Sequence, residues 1–161
     1  MLPWDVHWAE TRFLFECLTQ QDAVVVLSLH PKSDPAAYQP LADEFGALIA
    51  QRRAYELIPA CDVFVATFSG TVMAAIGCGV PTVVIDFYGL NYSYFDNEPG
   101  IMIVNQHADL APILERLFND QEYYAQVALA QQTRGPEWIL LDGLCTRRIT
   151  DELYQLMAGV S

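Results

Sequence analysis

Short, uncharged, β-branched runs alternate along this chain with longer stretches of helical periodicity, and that alternation confines it to α/β architecture with parallel strands. Ala23-Val24-Val25-Val26-Leu27-Ser28-Leu29 is a continuous apolar run, as expected of a strand covered on both faces. Further strands are predicted at Ala47–Ala50, Asp62–Ala66, Thr82–Asp86 and Ile101–Val104. Helices are predicted over Asp5–Gln20, Tyr38–Phe45, Tyr55–Ala60, Gly70–Cys78, Ala108–Phe118, Gln121–Gln132 and Leu144–Met157. Gly79 is placed to end the fourth of these as a C-cap, and Gly135-Pro136 to break the sixth. His30-Pro31-Lys32-Ser33-Asp34-Pro35 reads as a loop, and Phe87–Gly100 as a long aromatic, polar one. The expectation is a Rossmann-like three-layer sandwich around a parallel sheet of about five strands, formed by a single domain over residues 1–161.

Composition narrows the partners. Hydrophobic residues make up 53% and charged residues 17%, so a packed core is expected rather than disorder. A net charge of −12 repels nucleic acid backbones and anionic membranes. No apolar run reaches the roughly 18–20 residues of a membrane span. The N-terminus lacks the pattern of a signal peptide, which predicts a cytoplasmic location. The four cysteines, Cys17, Cys61, Cys78 and Cys145, form no CxxC pair and lie at no zinc-ligand spacing from a histidine. Reduced thiols, no metal and no cofactor are expected.

In an open parallel sheet, ligands lie beyond the carboxyl ends of the strands. Three segments meet that criterion here. Thr67-Phe68-Ser69-Gly70-Thr71 leads from the third strand into a helix: Ser69 can cap it, Gly70 lets a ligand approach the backbone, and N–H groups at the helix start bind anions. The same residues equally suit a plain N-cap and a tight turn. His30 ends the first strand, as a ligand contact or a loop hydrogen-bonder. Tyr88, Gly89, Asn91 and Tyr92 follow the fourth strand, where tyrosines can stack on a sugar or base, or form a dimer contact. Trp4, Trp8 and Trp138 suit core closure or a partner surface. Arg52-Arg53 and Arg147-Arg148 are the adjacent basic pairs.

Four segments in order carry a resemblance: Val25–Pro31, Glu56–Asp62, Ala66–Thr71 and Gly79–Val84. The series resembles the C-terminal, nucleotide-binding half of GT-B glycosyltransferases, in the flavour of the capsule-polysaccharide and CDP-glycerol glycerophosphotransferase families and the UDP-N-acetylglucosamine 2-epimerases. It covers Val24–Asp86 and, more loosely, Gly143–Leu153. The resemblance implies a nucleotide-diphosphate sugar as ligand. It places Ser69, Gly70 and Thr71, with Thr67, at the diphosphate, Leu57 and Ile58 beside the base, and His30, as the catalytic candidate, near the donor's phosphates or the reaction centre where the group is transferred. Two departures stand out. The family has a glutamate for the ribose hydroxyls where this chain has Ala74, and an alanine cannot accept those hydrogen bonds. The acceptor-binding half is absent, so catalysis would need a second domain or an oligomer. The family half also opens with a mid-sheet strand that is not found here, so the remaining strands are expected to close up in the order 2-1-3-4-5. A non-catalytic interaction module on a degenerate half-fold is the competing expectation.

Overall fold

The computed structural model describes residues 3–91 and 93–159. A first helix, α1 (Trp4–Thr19), leads to β1 (Val26–Leu27), α2 (Pro35–Phe45), β2 (Leu48–Ile49) and α3 (Ala54–Leu57). A 3-10 turn at Ile58–Ala60 then precedes β3 (Phe64–Ala66), α4 (Val72–Cys78) and β4 (Thr82–Ile85). After a 3-10 turn at Ser93–Phe95 come β5 (Ile101–Val104), α5 (His107–Asn119), α6 (Gln121–Trp138) and α7 (Cys145–Met157).

Local chemistry explains most boundaries. Asp34 accepts a hydrogen bond from Ala36 N–H at 3.0 Å, and Pro35 stands at the first helical position, where its missing donor does no harm. The helix therefore begins earlier than the expected Tyr38, inside the segment read as loop. Gly79 closes α4 in the left-handed conformation at φ 68°, as expected. The expected break at Gly135-Pro136 does not occur: α6 runs through it to Trp138. The reason is tertiary. A Cβ on Gly135 would lie 3.2 Å from Ile76 O and 3.3 Å from Gly77 Cα, so the glycine lets α6 press directly on α4.

All strand pairs are parallel, but the expected single five-stranded sheet is divided. β1 pairs with β2, registering Val26 with Leu48 and Leu27 with Ile49. β3, β4 and β5 form a separate ladder in that order. Among the described residues no ladder joins β1 to β3, because backbone pairing, not apolar pattern, decides which strands are neighbours.

α1 lies over both ladders. Phe15 packs with Leu41, Ala42 and Ala47, against which Val25, Leu27 and Ile49 rest. Cys17 joins Val83, Ile85, Val104 and Leu110, with Phe13, Leu14, Leu18, Val63 and Val65 packed on that cluster. The opposite face of the three-stranded ladder is covered by α4 and Trp138, through Val72, Ile76, Val84 and Phe95. Three layers thus enclose β3–β4–β5, giving a Rossmann-like α/β arrangement. Among the described residues no helix is long and apolar enough to cross a membrane.

Candidate functional site

The turn after β3 is built by short-range hydrogen bonds. Ser69 Oγ accepts from Thr71 N–H at 3.2 Å and lies 2.5 Å from Thr71 Oγ1. Val72 N–H donates to Ser69 O, and Met73 N–H to Gly70 O. Thr71, not Ser69, is therefore the N-cap of α4, and the first N–H groups of the helix already have acceptors within the turn. Gly70 is exposed, and a Cβ there would meet only Met73 Cε, at 3.9 Å. The backbone of Gly70 is thus approachable from solvent. Thr67 is exposed beside it.

The loop after β4 turns on Asp86, which is buried. Its carboxylate accepts from Leu90 N–H at 2.8 Å and Asn91 N–H at 2.7 Å. Gly89 and Asn91 adopt positive φ of 63° and 51°, and Asn91 Nδ2 donates to Gly89 O. With both carboxylate oxygens engaged, Asp86 holds the loop and is no candidate for acid–base chemistry. Burial, then Glu10 and Tyr38, push the Tyr88 hydroxyl above its ordinary range, which places this loop beside the first half of α1 and the start of α2. Phe87 stacks on His107 at 4.1 Å, and His107 Nε2 is 2.6 Å from Glu10. Tyr92 lies outside the described residues.

His30 is exposed beyond β1, and its Nδ1 accepts from Lys32 N–H at 3.1 Å. When the ring is neutral, this bond puts its proton on Nε2, which then points a donor outward. Leu57 is half-buried. Ile58 is almost fully buried, in a cluster with Ala74, Ala75 and Val80, and so is a core residue. Ala74 itself is buried in that cluster, so a glutamate at this position would bury its carboxylate among apolar side chains.

Charge adds residues that sequence reasoning assigned no role. The chain has eight Lys and Arg. Five are in ion pairs: Arg12 with Glu44, Arg116 with Asp120, Arg134 with Glu98 and Glu137, Arg147 with Asp151, and Arg148 with Asp142. Among the described residues the other three, Lys32, Arg52 and Arg53, have no ion pair. All three are exposed on the loops that follow β1 and β2, at the carboxyl ends of those strands. The sequence signal was position relative to strand ends, not a motif.

A second group of polar and aromatic side chains joins α1 to α2. His7 Nε2 is 3.0 Å from Tyr38 Oη, with the Trp4 and Trp8 rings edge-on to the imidazole. Trp138 packs against Tyr94 and Phe95 instead, closing the core. Burial pushes the thiols of Cys17, Cys61 and Cys78 up, away from reactivity. Among the described residues no three His, Cys, Asp or Glu side chains are grouped to hold a metal. Two surface depressions, of about 310 and 350 Å³, lie elsewhere, at Pro112–Asp120 and at Met73, Tyr94 and Trp138. Neither includes Ser69–Thr71.

No family model matches the chain, and no curated protein matches it. Solved structures do. Sucrose-phosphate synthase from Thermosynechococcus elongatus superposes with a TM-score of 0.59 at 16% identity, over 93% of this chain and 42% of that one. Spinosyn forosaminyltransferase SpnP superposes with a TM-score of 0.60 at 18% identity, over 95% of this chain and 39% of that one. The likeness is one of fold, and the fold is GT-B-like. The chain spans about two-fifths of the length of each neighbour.

Proposed function

We propose that this chain is a glycosyltransferase-like domain that takes the diphosphate of a nucleotide sugar at the carboxyl edge of its parallel strands. One observation carries the reading: in a chain of net charge −12, the three cations that have no ion pair among the described residues, Lys32, Arg52 and Arg53, all lie on the loops that follow the paired strands β1 and β2 at that edge. Unpaired cations at strand ends suit an anionic ligand, and guanidinium groups bind phosphate through paired N–H donors. In this reading the two ladders lie side by side in the order 2-1-3-4-5. The loops after β1, β2 and β3 then border one ligand.

Gly70 N–H and the hydroxyls of Ser69 and Thr71 would face the diphosphate. His30 would meet the transferred group through Nε2, and Tyr88 would border the sugar. In this reading the domain holds the donor, and transfer would need an acceptor-binding domain beside it. The capsule-polysaccharide, CDP-glycerol and 2-epimerase flavours of the resemblance belong to this proposal. They differ in the base and the group carried.

A second reading has its own observation in favour. Ala74 is packed in the core where a ribose-binding glutamate would be, and Asp86 is committed to its loop. Those features suit an interaction module that kept the fold and lost the ligand.

Calorimetric titration of UDP, CDP and their sugars separates the two. The first reading expects saturable binding, weakened on the order of tenfold by Arg52→Glu with Arg53→Glu and abolished by Gly70→Trp. Absence of binding at about millimolar ligand, some 4 kcal/mol of affinity, sinks it and leaves the interaction module.

A further inference from the structure

We propose that α7 is a self-association surface, on which two copies of this chain pair their α7 helices antiparallel, apolar stripe against apolar stripe. The inference uses none of the residues of the nucleotide-sugar reading and stands apart from it.

The stripe comes first. Cys145, Ile149, Leu153 and Met157 recur every four residues, and Leu156 falls seven after Ile149, so one apolar face runs the length of the helix. Ile149, Leu153, Leu156 and Met157 are each more than half exposed, and no residue of α7 is buried. Helices shorter than about 12–15 residues are marginal in water unless such a face is packed. α7 has 13 residues, and the body of its own chain does not supply that packing.

Charge selects the occupant. α7 carries Arg147 and Arg148 against Asp151 and Glu152, two of each sign, and is neutral in a chain of net charge −12. Two such chains repel each other as whole bodies, and a neutral stretch is where they can meet.

The four charges are also arranged for a second copy. Arg147 pairs with Asp151 one turn on, in a row that helical spacing sets away from the stripe. Arg148 and Glu152 form the other row. Glu152 is three residues from Ile149 and four from Leu156, so this row borders the stripe. Among the described residues Glu152 has no ion pair. Arg148 gives Asp142 two hydrogen bonds, and a guanidinium has five N–H donors.

A two-fold axis beside Asp151, the middle of the helix, sets Ile149 opposite the partner copy's Leu153 and Cys145 opposite the partner copy's Met157. At a rise of about 1.5 Å per residue, Arg148 then stands about 3 Å along the axis from the partner copy's Glu152, on the same side of the seam. Symmetry makes that contact twice. In a parallel pair the same row would face Thr150 and Tyr154, and no charge would be matched. A self-complementary row suits a second copy of this chain, and an unrelated partner has no need of it.

Sedimentation equilibrium of the full chain is the test. A monomer–dimer equilibrium is expected with a dissociation constant on the order of 10 µM, since two short helices make an interface at the low end of specific ones. Leu153→Glu puts a charge in the seam and is expected to weaken the dimer by about a hundredfold. Glu152→Arg leaves the Asp142 tie in place, sets two arginines against each other, and is expected to cost about tenfold. Arg148→Glu is expected to weaken the dimer as well. Adding Glu152→Arg to it exchanges the two charges, and the double variant is expected to associate about tenfold more tightly than Arg148→Glu alone. Near-ultraviolet dichroism of Trp4, Trp8 and Trp138, none of them on α7, checks that each variant is folded.

Three outcomes overturn the proposal: a monomer at about 500 µM chain, a dimer indifferent to Leu153→Glu, or a double variant no tighter than Arg148→Glu.

Discussion

β4 and β1 are both short parallel strands without a charged residue, yet they occupy opposite physical states. Thr82–Ile85 is buried at every position, with a ladder on each side and a helical layer on each face. Val26–Leu27 has one neighbour, and Val26 is 47% exposed. Both sequences ask for a doubly covered strand, and only one receives it. The difference teaches that an apolar run specifies what a strand needs, while the pairing of its edges decides whether the need is met. Local opening should follow the same divide, with β4 amides exchanging near the global limit and β1 amides far faster.

The sharpest way to test this divide uses glycines with positive φ on either side of it. Gly100 (φ 85°) precedes β5, and a Cβ there would meet Gln131 Cγ at 2.2 Å and Val127 O at 2.9 Å. Gly46 (φ 66°) precedes β2 and has nothing within 4 Å. Both alanine variants pay the left-handed penalty of about 1–2 kcal/mol, and overpacking is added only at Gly100. Denaturant unfolding is expected to show a loss of about 3 kcal/mol for Gly100→Ala and about 1 kcal/mol for Gly46→Ala. Equal losses would mean that the two regions are packed alike. Valines give the next contrast. Val83→Ala, in a fully buried position, is expected to lose about 2 kcal/mol, and Val26→Ala less than about 0.5 kcal/mol.

The same divide governs what could be read in the sequence. β5 and the C-cap at Gly79 were legible because their causes are local: a bounded apolar run and a residue tolerant of positive φ. The shortness of β1 and β2 was not, because it reflects edges that no other strand pairs with. Nor was the continuation of α6 through Gly135-Pro136, which depends on how closely Gly77 approaches from α4. Of the candidate site, the Ser69–Thr71 turn was visible as a strand-to-helix junction. Lys32 and the role of Arg52 and Arg53 were hidden, because a cation without a partner is recognised only once the pairs of the other five are known.

A smaller effect probes the well-packed side. Gln131 is fully buried, and among the described residues neither its Oε1 nor its Nε2 has a hydrogen-bond partner. Gln131→Met keeps much of the shape and removes two unsatisfied polar atoms. It is expected to raise stability by about 1 kcal/mol, read as a higher denaturation midpoint at unchanged slope. A loss instead would show that Gln131 makes polar contacts that the packing conceals.

The least buried helix gives the smallest effect. α7 has no buried residue, and its first turn is tied to the preceding loop by Arg148, which donates to both carboxylate oxygens of Asp142, while Leu144 N–H donates to one of them. These hydrogen bonds, the guanidinium's first, hold the Asp142 carboxyl at about 2, below its ordinary 3.8. A depressed carboxyl favours the ordered form above its ordinary value and loses that effect as pH falls through the lower one. The tie should therefore be intact at neutral pH and released between 3.8 and about 2. Carboxyl-carbon NMR titration is expected to show this midpoint, and Arg148→Ala to return it toward 3.8. Because the pair is exposed, the global midpoint of unfolding should hardly move while the α7 signals broaden. A large global shift would mean that α7 packs on the body and is not the open extreme of the molecule.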